Sequence, residues 1–215
     1  MAVKNKINLI FDCDGVLINS INIQKCAFYG SYKEIVGDDK CPPFSEYMKH
    51  TGDSLPNIFR KMGLPIEMAG PYRRISREAI DQTIVNEELI DLIRELRELG
   101  IKCGICTGKD HERMIEILKY FNIEELFDAV VCSDDVREPK PSAMPLFKAM
   151  EDMGSDVNAS NSIVIGDGYY DILSAQNAGC RSVLTLWYGD EGVPREADYV
   201  VGTVKELREL LLDIM

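Results

Sequence analysis

The sequence predicts an α/β protein, a three-layer parallel sheet with a small all-helical segment inserted after the first strand. From about Asn86 onward, short apolar runs alternate with amphipathic stretches, as they do when parallel strands are covered by helices on both faces. Between the first apolar run and about Val85 the spacing is helical and no strand alternation is visible. A chain of 215 residues holds one ordinary domain and a modest insertion.

The elements follow in order. Lys6 to Phe11 is a short apolar run that stops at Asp12, the first strand. A long helical stretch after Asn19 is broken at Cys41-Pro42-Pro43, and later breaks fall at Pro56, at Gly63 to Pro65 and at Gly70-Pro71. Several short helices between such breaks make a small bundle. Leu89, Leu92, Ile93, Leu96 and Leu99 share one helical face and Gly100 stops the helix. The strand Ile101 to Cys106 precedes a helix over about 110–121, and Ala129 to Cys132 precedes one over about 144–153. Ser162 to Ile165 leads into a helix over about 170–178. Ser182 to Leu186 and Tyr199 to Val201 complete the sheet, and Thr203 with Glu206 has the spacing of a capping box for the last helix. The expected division is a core of residues 1–18 and 86–215 with a helical cap of residues 19–85. Repeats and low-complexity segments are absent.

The composition restricts function. The formal charge is −12, and no run of five or six like charges supplies a basic patch, so nucleic acid and anionic membranes are repelled. The expected partner is a small phosphorylated molecule. Stretches of 18 apolar residues are missing and Met1 to Lys6 lacks the look of a secretory signal. Seven scattered cysteines suit a reducing, cytoplasmic setting. Cys103 and Cys106 have C-x-x-C spacing, but they stand in an apolar strand without a second pair, which favours buried strand residues over zinc or redox chemistry.

Parallel sheets bind ligands at the carboxyl ends of their strands. The polar residues there are Asp12 and Asp14 with Gly15 after the first strand, then Thr107 and Gly108 after the second. Lys140 follows the third, flanked by Pro139 and Pro141, and Gly166, Asp167 and Asp171 follow the fourth. These types suit phosphoryl transfer. A carboxylate can attack phosphorus and leave an acyl phosphate, and a second carboxyl two residues on can protonate the departing oxygen and then activate water. Several carboxylates together make a hard-oxygen site for Mg²⁺, while an ammonium and a hydroxyl can hold phosphoryl oxygens.

Asp12-Cys13-Asp14-Gly15, Thr107-Gly108-Lys109, Lys140-Pro141 and Gly166-Asp167 with Asp171 resemble, in order, the four motifs of the haloacid dehalogenase superfamily. The resemblance implies a Rossmann-like core with a helical, C1-type cap, as in the phosphoglycolate phosphatase-like members. It implies Asp12 as nucleophile and Asp14 as general acid and base. Mg²⁺ would be held by the Asp12 carboxylate, the Asp14 carbonyl and Asp167, with Asp171 nearby, and the phosphoryl group by Thr107, Gly108 and Lys140. Asp14 separates the chain from the dehalogenase branch, and no cap lysine suggests itself as the Schiff base of a phosphonate hydrolase. Relatives often carry Asp-Ser where this chain has Asn19-Ser20. The stretch from His50 to Leu55 looks like the cap loop that reaches over the active site, with His50 and Gly52 as substrate-contact candidates. Lys49, Arg60, Arg73, Arg74 and Arg77 are further cap cations. The cap segments Val36-Gly37-Asp38, Pro42 to Tyr47 and Met62 to Pro65 are similar to phosphatases associated with 3-amino-5-hydroxybenzoate synthesis, which would imply a phosphorylated sugar or aminosugar-like substrate. The rival readings are a phosphomutase of the β-phosphoglucomutase type and a non-catalytic binding protein on the same scaffold.

Overall fold

A computed structural model describes residues 7–37, 39–188 and 196–215; the expectations for Met1 to Lys6 and for Asp38 lie outside the described residues. The main sheet has six parallel strands in the order β5-β4-β1-β6-β7-β8, formed by β1 (Asn8–Phe11), β4 (Cys103–Cys106), β5 (Ala129–Val131), β6 (Ser162–Gly166), β7 (Arg181–Thr185) and β8 (Tyr199–Val201). Every residue of β1, β4 and β6 is buried, as their continuous apolar runs require. Cys103 and Cys106 are among them, and burial pushes both thiols up to about 12, so they behave as small core residues.

Helices α5 (Glu87–Glu98), α6 (His111–Tyr120), α7 (Met144–Met153), α8 (Tyr169–Ala178) and α9 (Val204–Ile214) flank the sheet. One face packs Leu9, Phe11, Leu92, Ile105 and Leu207, the other Ile10, Val131, Leu146, Val164 and Ala175. Asn86 Oδ1 accepts the Leu89 N–H and caps α5. Leu99 departs from the expected buried face. It is 51% exposed, because α5 ends at Glu98 before the next inward position comes round. At α9 Thr203 Oγ1 accepts the Glu206 N–H, but Glu206 accepts from Gly202 rather than reciprocating at Thr203.

The chain leaves β1, later returns beside it as β4, moves outward to β5, and crosses to β6 on the other side. The carboxyl end of β1 is therefore the point where strand order reverses, the usual ligand position.

Helices α1 (Ile21–Ile35), α2 (Phe44–Met48), α3 (Leu55–Lys61) and α4 (Ala69–Glu78) precede α5. They enclose a core of their own, with Phe28, Tyr47, Phe59, Met68 and Tyr72 at its centre. One feature corrects the all-helical expectation. β2 (Ile18–Asn19) and β3 (Ile84–Val85) pair antiparallel where the chain leaves and re-enters the core. Two residues per strand carry no alternation, and the partners Ile18 with Val85 and Asn19 with Ile84 stand far apart in the chain, so neither signal is visible locally.

Candidate active site

β1 delivers Asp12, and the turn after it brings Asp14 back toward the rim, closed by a Gly15 N–H to Ile18 O bond of 2.8 Å. β4 presents Thr107, Gly108 and Lys109, and β6 presents Asp167. Asp171 comes from the first turn of α8, where its Oδ2 accepts the Gly168 N–H at 3.0 Å. All of these line one cavity of about 1060 Å³ between the sheet rim and helices α1–α4, at the upper end of the roughly 300–1,000 Å³ usual for small-molecule sites.

Lys140, from the loop after β5, is the buried hub. Its Nζ donates to Asp12 Oδ1 at 2.8 Å, to Asp171 Oδ1 at 2.5 Å and to Cys106 O at 2.9 Å. Burial works against this ammonium, yet Asp12 and Asp171 outweigh it and push it well above the usual lysine range, so it stays charged. Asp12, Asp167 and Asp171 each offer an oxygen, all within 4.8 Å of one another. Burial, with Asp171 and Asp14 adding repulsion, raises Asp12 to about 7 despite Lys140. Asp167, half-open to the cavity, is driven well up by burial and by the same neighbours. Three carboxylates against one ammonium leave an excess of negative charge, and the donors are all hard oxygens. That donor set fits a divalent cation such as Mg²⁺.

Asp14 lies outside this trio. Its carboxylate is held by Lys109 Nζ through one oxygen and by Ser20 Oγ through the other. Ser20 is thus engaged where the Asn19-Ser20 pair departs from the family pattern, and the Asn19 side chain accepts the Ile21 N–H at 3.3 Å at the start of α1.

Gly15 is required twice over. Its φ is +74°, and a Cβ there would sit 1.8 Å from Asp167 Oδ2. Gly15→Ala is expected to displace the Asp167 carboxylate and to lower turnover by about a hundredfold, the scale of a 1 Å misplacement. The left-handed backbone adds a stability loss of about 1–2 kcal/mol. Steady-state rates and urea unfolding check both; wild-type turnover would show that the Asp167 position does not matter.

The helical unit is seated on the rim. A Cβ on Gly108 would meet Asp53 O at 2.5 Å and Gly52 O at 2.7 Å, so the 50–55 loop rests directly on the Thr107-Gly108 turn. Around that contact Lys61 Nζ reaches Tyr170 Oη at 2.8 Å, Arg73 pairs with Asp110 at 2.7 Å, and Arg113 Nη2 donates to Ser76 O at 2.8 Å. Gly52 lines the cavity, whereas His50 does not; its neighbours Lys49 and Thr51 do. Partial burial and Lys61 lower the His50 imidazolium below the usual range, which also weakens it as a cation for substrate. Of the other cap cations Arg73 lines the cavity, while Arg60, Arg74 and Arg77 are engaged outside it by Asn57, by Glu34 and Glu78, and by Glu112 and Glu116.

The sequence motifs include Lys109 and Ser20 without giving either a role, and Arg113 falls in none of them. Lys109 was within reach, since it stands two residues past Thr107 at the same strand end. Arg113 carries no such mark, because only the seating of α4 on α6 buries it.

The sequence profile of the haloacid dehalogenase-like hydrolases matches residues 9–185. Pyrophosphatase PpaX of Bacillus mycoides (strain KBAB4) is 30% identical over 96% of this chain and 97% of its own length. Among solved structures, a hydrolase from Pseudomonas syringae superposes with a TM-score of 0.83 at 19% identity, covering 97% of this chain and 99% of that one. CbbY from Rhodobacter sphaeroides in complex with phosphate gives 0.80 at 20% identity, covering 93% and 95%. Among the described residues no helix is long and apolar enough to cross a membrane.

Proposed function

The chain belongs to the haloacid dehalogenase-like hydrolase family and hydrolyses phosphoric esters, and from that premise we propose a Mg²⁺-dependent phosphatase of small phosphorylated metabolites that works through an aspartyl phosphate on Asp12. The observation that carries this reading is Asp12 itself, fixed by Lys140 at the reversal point of the sheet with Asp167 and Asp171 beside it.

In this mechanism Lys140 engages Asp12 Oδ1, so the other carboxylate oxygen is the one offered to phosphorus. Attack forms the aspartyl phosphate and releases the alcohol or phosphate, whose oxygen takes a proton from Asp14. Asp14 then accepts a proton from the water that cleaves the acyl phosphate. Thr107 and the Gly108 backbone hold phosphoryl oxygens, and Lys140 reaches one only by exchanging a partner among Asp12, Asp171 and Cys106 O, otherwise stabilising the spreading charge from behind Asp12. Asp171 keeps Lys140 in place. Asp12 and Asp167, with the Asp14 carbonyl, would hold the Mg²⁺, which when bound neutralises phosphoryl and carboxylate charge. Residues 19–85 act as a cap that shields the site from bulk solvent while admitting the attacking water, and that supplies, through the Gly52 loop, contacts to the leaving group. His50 remains a loop-positioning residue rather than a contact.

The PpaX relatives bear the name pyrophosphatase, which supports including pyrophosphate among the substrates to test, and the cap similarity adds phosphorylated sugars and aminosugars. No observation favours a phosphomutase. The deciding experiment is a phosphate-release screen with Mg²⁺ over pyrophosphate, an aryl phosphate and some tens of phosphorylated metabolites. Release from at least one is expected. Turnover confined to a sugar phosphate in the presence of its bisphosphate would replace the hydrolase by the mutase, and no turnover at all would leave a binding protein.

A further inference from the structure

Two groups of metal-ligating side chains occur among the described residues. Asp12, Asp167 and Asp171 form the catalytic one, and His111, Cys132 and Asp135 form the other. In the second group an imidazole nitrogen, a thiol sulfur and a carboxylate oxygen all lie within 4.8 Å of one another. None of the three residues lines the catalytic cavity, although Asp110 and Ser133 beside them do. The donors come from two elements: His111 is the first residue of α6, and Cys132 directly follows β5.

The backbone fixes this arrangement. A turn after β5 is closed by Asp135 N–H to Cys132 O at 3.1 Å. Asp135 Oδ2 turns back to accept the Cys132 N–H at 2.8 Å, and it meets His111 Nδ1 at 2.9 Å. Asp134 Oδ1 accepts the His111 N–H at 2.8 Å, which holds the start of α6 against the same turn. Helix capping does not account for the group, since Asp110 already caps α6 through the Arg113 N–H. An ordinary surface ion pair does not account for it either, because a fully buried thiol stands beside the pair. Burial, then Asp135, Asp134, Cys106 and Asp110, push that thiol up, so Cys132 is no nucleophile by itself. A cation that binds sulfur reverses the preference, because it takes the thiolate and offsets the carboxylates together. The His111 side chain is exposed, which gives such an ion a way in from solvent.

Donor chemistry names the cation. Sulfur, imidazole and carboxylate are the ligand types of Zn²⁺ and of comparable ions such as Co²⁺, whereas Mg²⁺ takes oxygen donors. The all-carboxylate group and the mixed group therefore select different metals. We propose that His111, Cys132 and Asp135 form a second metal site that takes Zn²⁺ or another thiophilic divalent ion, through one nitrogen, one sulfur and one oxygen, with water as the fourth ligand. As the metal–sulfur bond forms, the S–H bond breaks and its proton passes to the buffer. An ion held there clasps the end of β5 to the first turn of α6. Ser133 lies inside that clasp and donates from its N–H and Oγ to Lys109 O at 2.9 and 3.2 Å. The site thus braces the lysine that holds Asp14.

Titration of Co²⁺ into the reduced protein in excess Mg²⁺ reads the site directly, since a cobalt–thiolate bond gives a near-ultraviolet charge-transfer band and oxygen ligation does not. One equivalent is expected to develop the band, and Zn²⁺ to abolish it by displacement. The band should persist in Asp12→Asn, which alters only the catalytic group, and vanish in Cys132→Ser. Zn²⁺ calorimetry in the same buffer should give His111→Asn an affinity at least about tenfold below wild type, the minimum that loss of even an outer partner costs. No band in the wild type would overturn the proposal. So would a band that survives Cys132→Ser, or an equal Zn²⁺ affinity in His111→Asn. Should Cys132→Ser fail to fold, the His111→Asn titration decides, because that exposed side chain strips nothing from the core.

Discussion

Asp12→Asn is expected to lower phosphate release at least about a hundredfold while leaving the fold intact, because an amide oxygen cannot form the acyl phosphate. The replacement is nearly isosteric, and Lys140 keeps Asp171 and Cys106 O as partners, so no buried cation is stranded. The stability change has a predictable sign. The folded protein raises Asp12 from 3.8 to about 7, so the protonated carboxyl favours folding at low pH, and that contribution is lost as pH rises through about 7. The asparagine does not titrate. In metal-free buffer the melting temperature of Asp12→Asn relative to wild type should therefore rise between pH 6 and pH 8. Turnover above about one hundredth of wild type would remove covalent catalysis at this residue, and a melting difference flat in pH would remove the burial penalty from Asp12.

The sheet was legible because each parallel strand is an apolar run ended by a polar residue, as at Phe11-Asp12 and Cys106-Thr107. Those same junctions put Asp12, Thr107 and Asp167 on one rim from sequence alone, since in such a sheet the strand ends share an edge. Lys140 was also reached from its position after the third strand, although its three-way contact with Asp12, Asp171 and Cys106 depends on a loop path that spacing does not encode. Illegible were the features made by docking one unit on another. The β2–β3 pair, the burial of Arg113 under Ser76, and the exclusion of His50 from the cavity all follow from how helices α1–α4 settle on the rim. Cap cations illustrate the difference. Arg73 and Arg77 are alike in sequence, yet one turn of α4 sends Arg73 to Asp110 inside the cavity and Arg77 to Glu116 outside it.

Chelation gives the second large effect. Asp12, Asp167 and Asp171 crowd three carboxylates around one ammonium, and a phosphoryl dianion entering that space adds to the repulsion. Phosphate release should fall to background in EDTA and return with excess Mg²⁺. The dependence on pH follows from the same crowding. A cation must displace the proton from a carboxyl raised to about 7, so one such displacement makes Mg²⁺ binding about tenfold tighter at pH 8 than at pH 6. Asp167, whose carboxyl is also pushed well up by burial and by Asp171 and Asp12, steepens the trend. Mg²⁺ titrations at the two pH values, run in buffers of different ionisation heat, read both the affinity ratio and the protons released. Asp167→Asn should weaken the affinity at both pH values, because a hard-oxygen ligand with full charge becomes a neutral one. Full activity in the chelator would take the metal out of the mechanism, and an affinity independent of pH would place the ion away from Asp12, where neither its nucleophilicity nor its charge would depend on it.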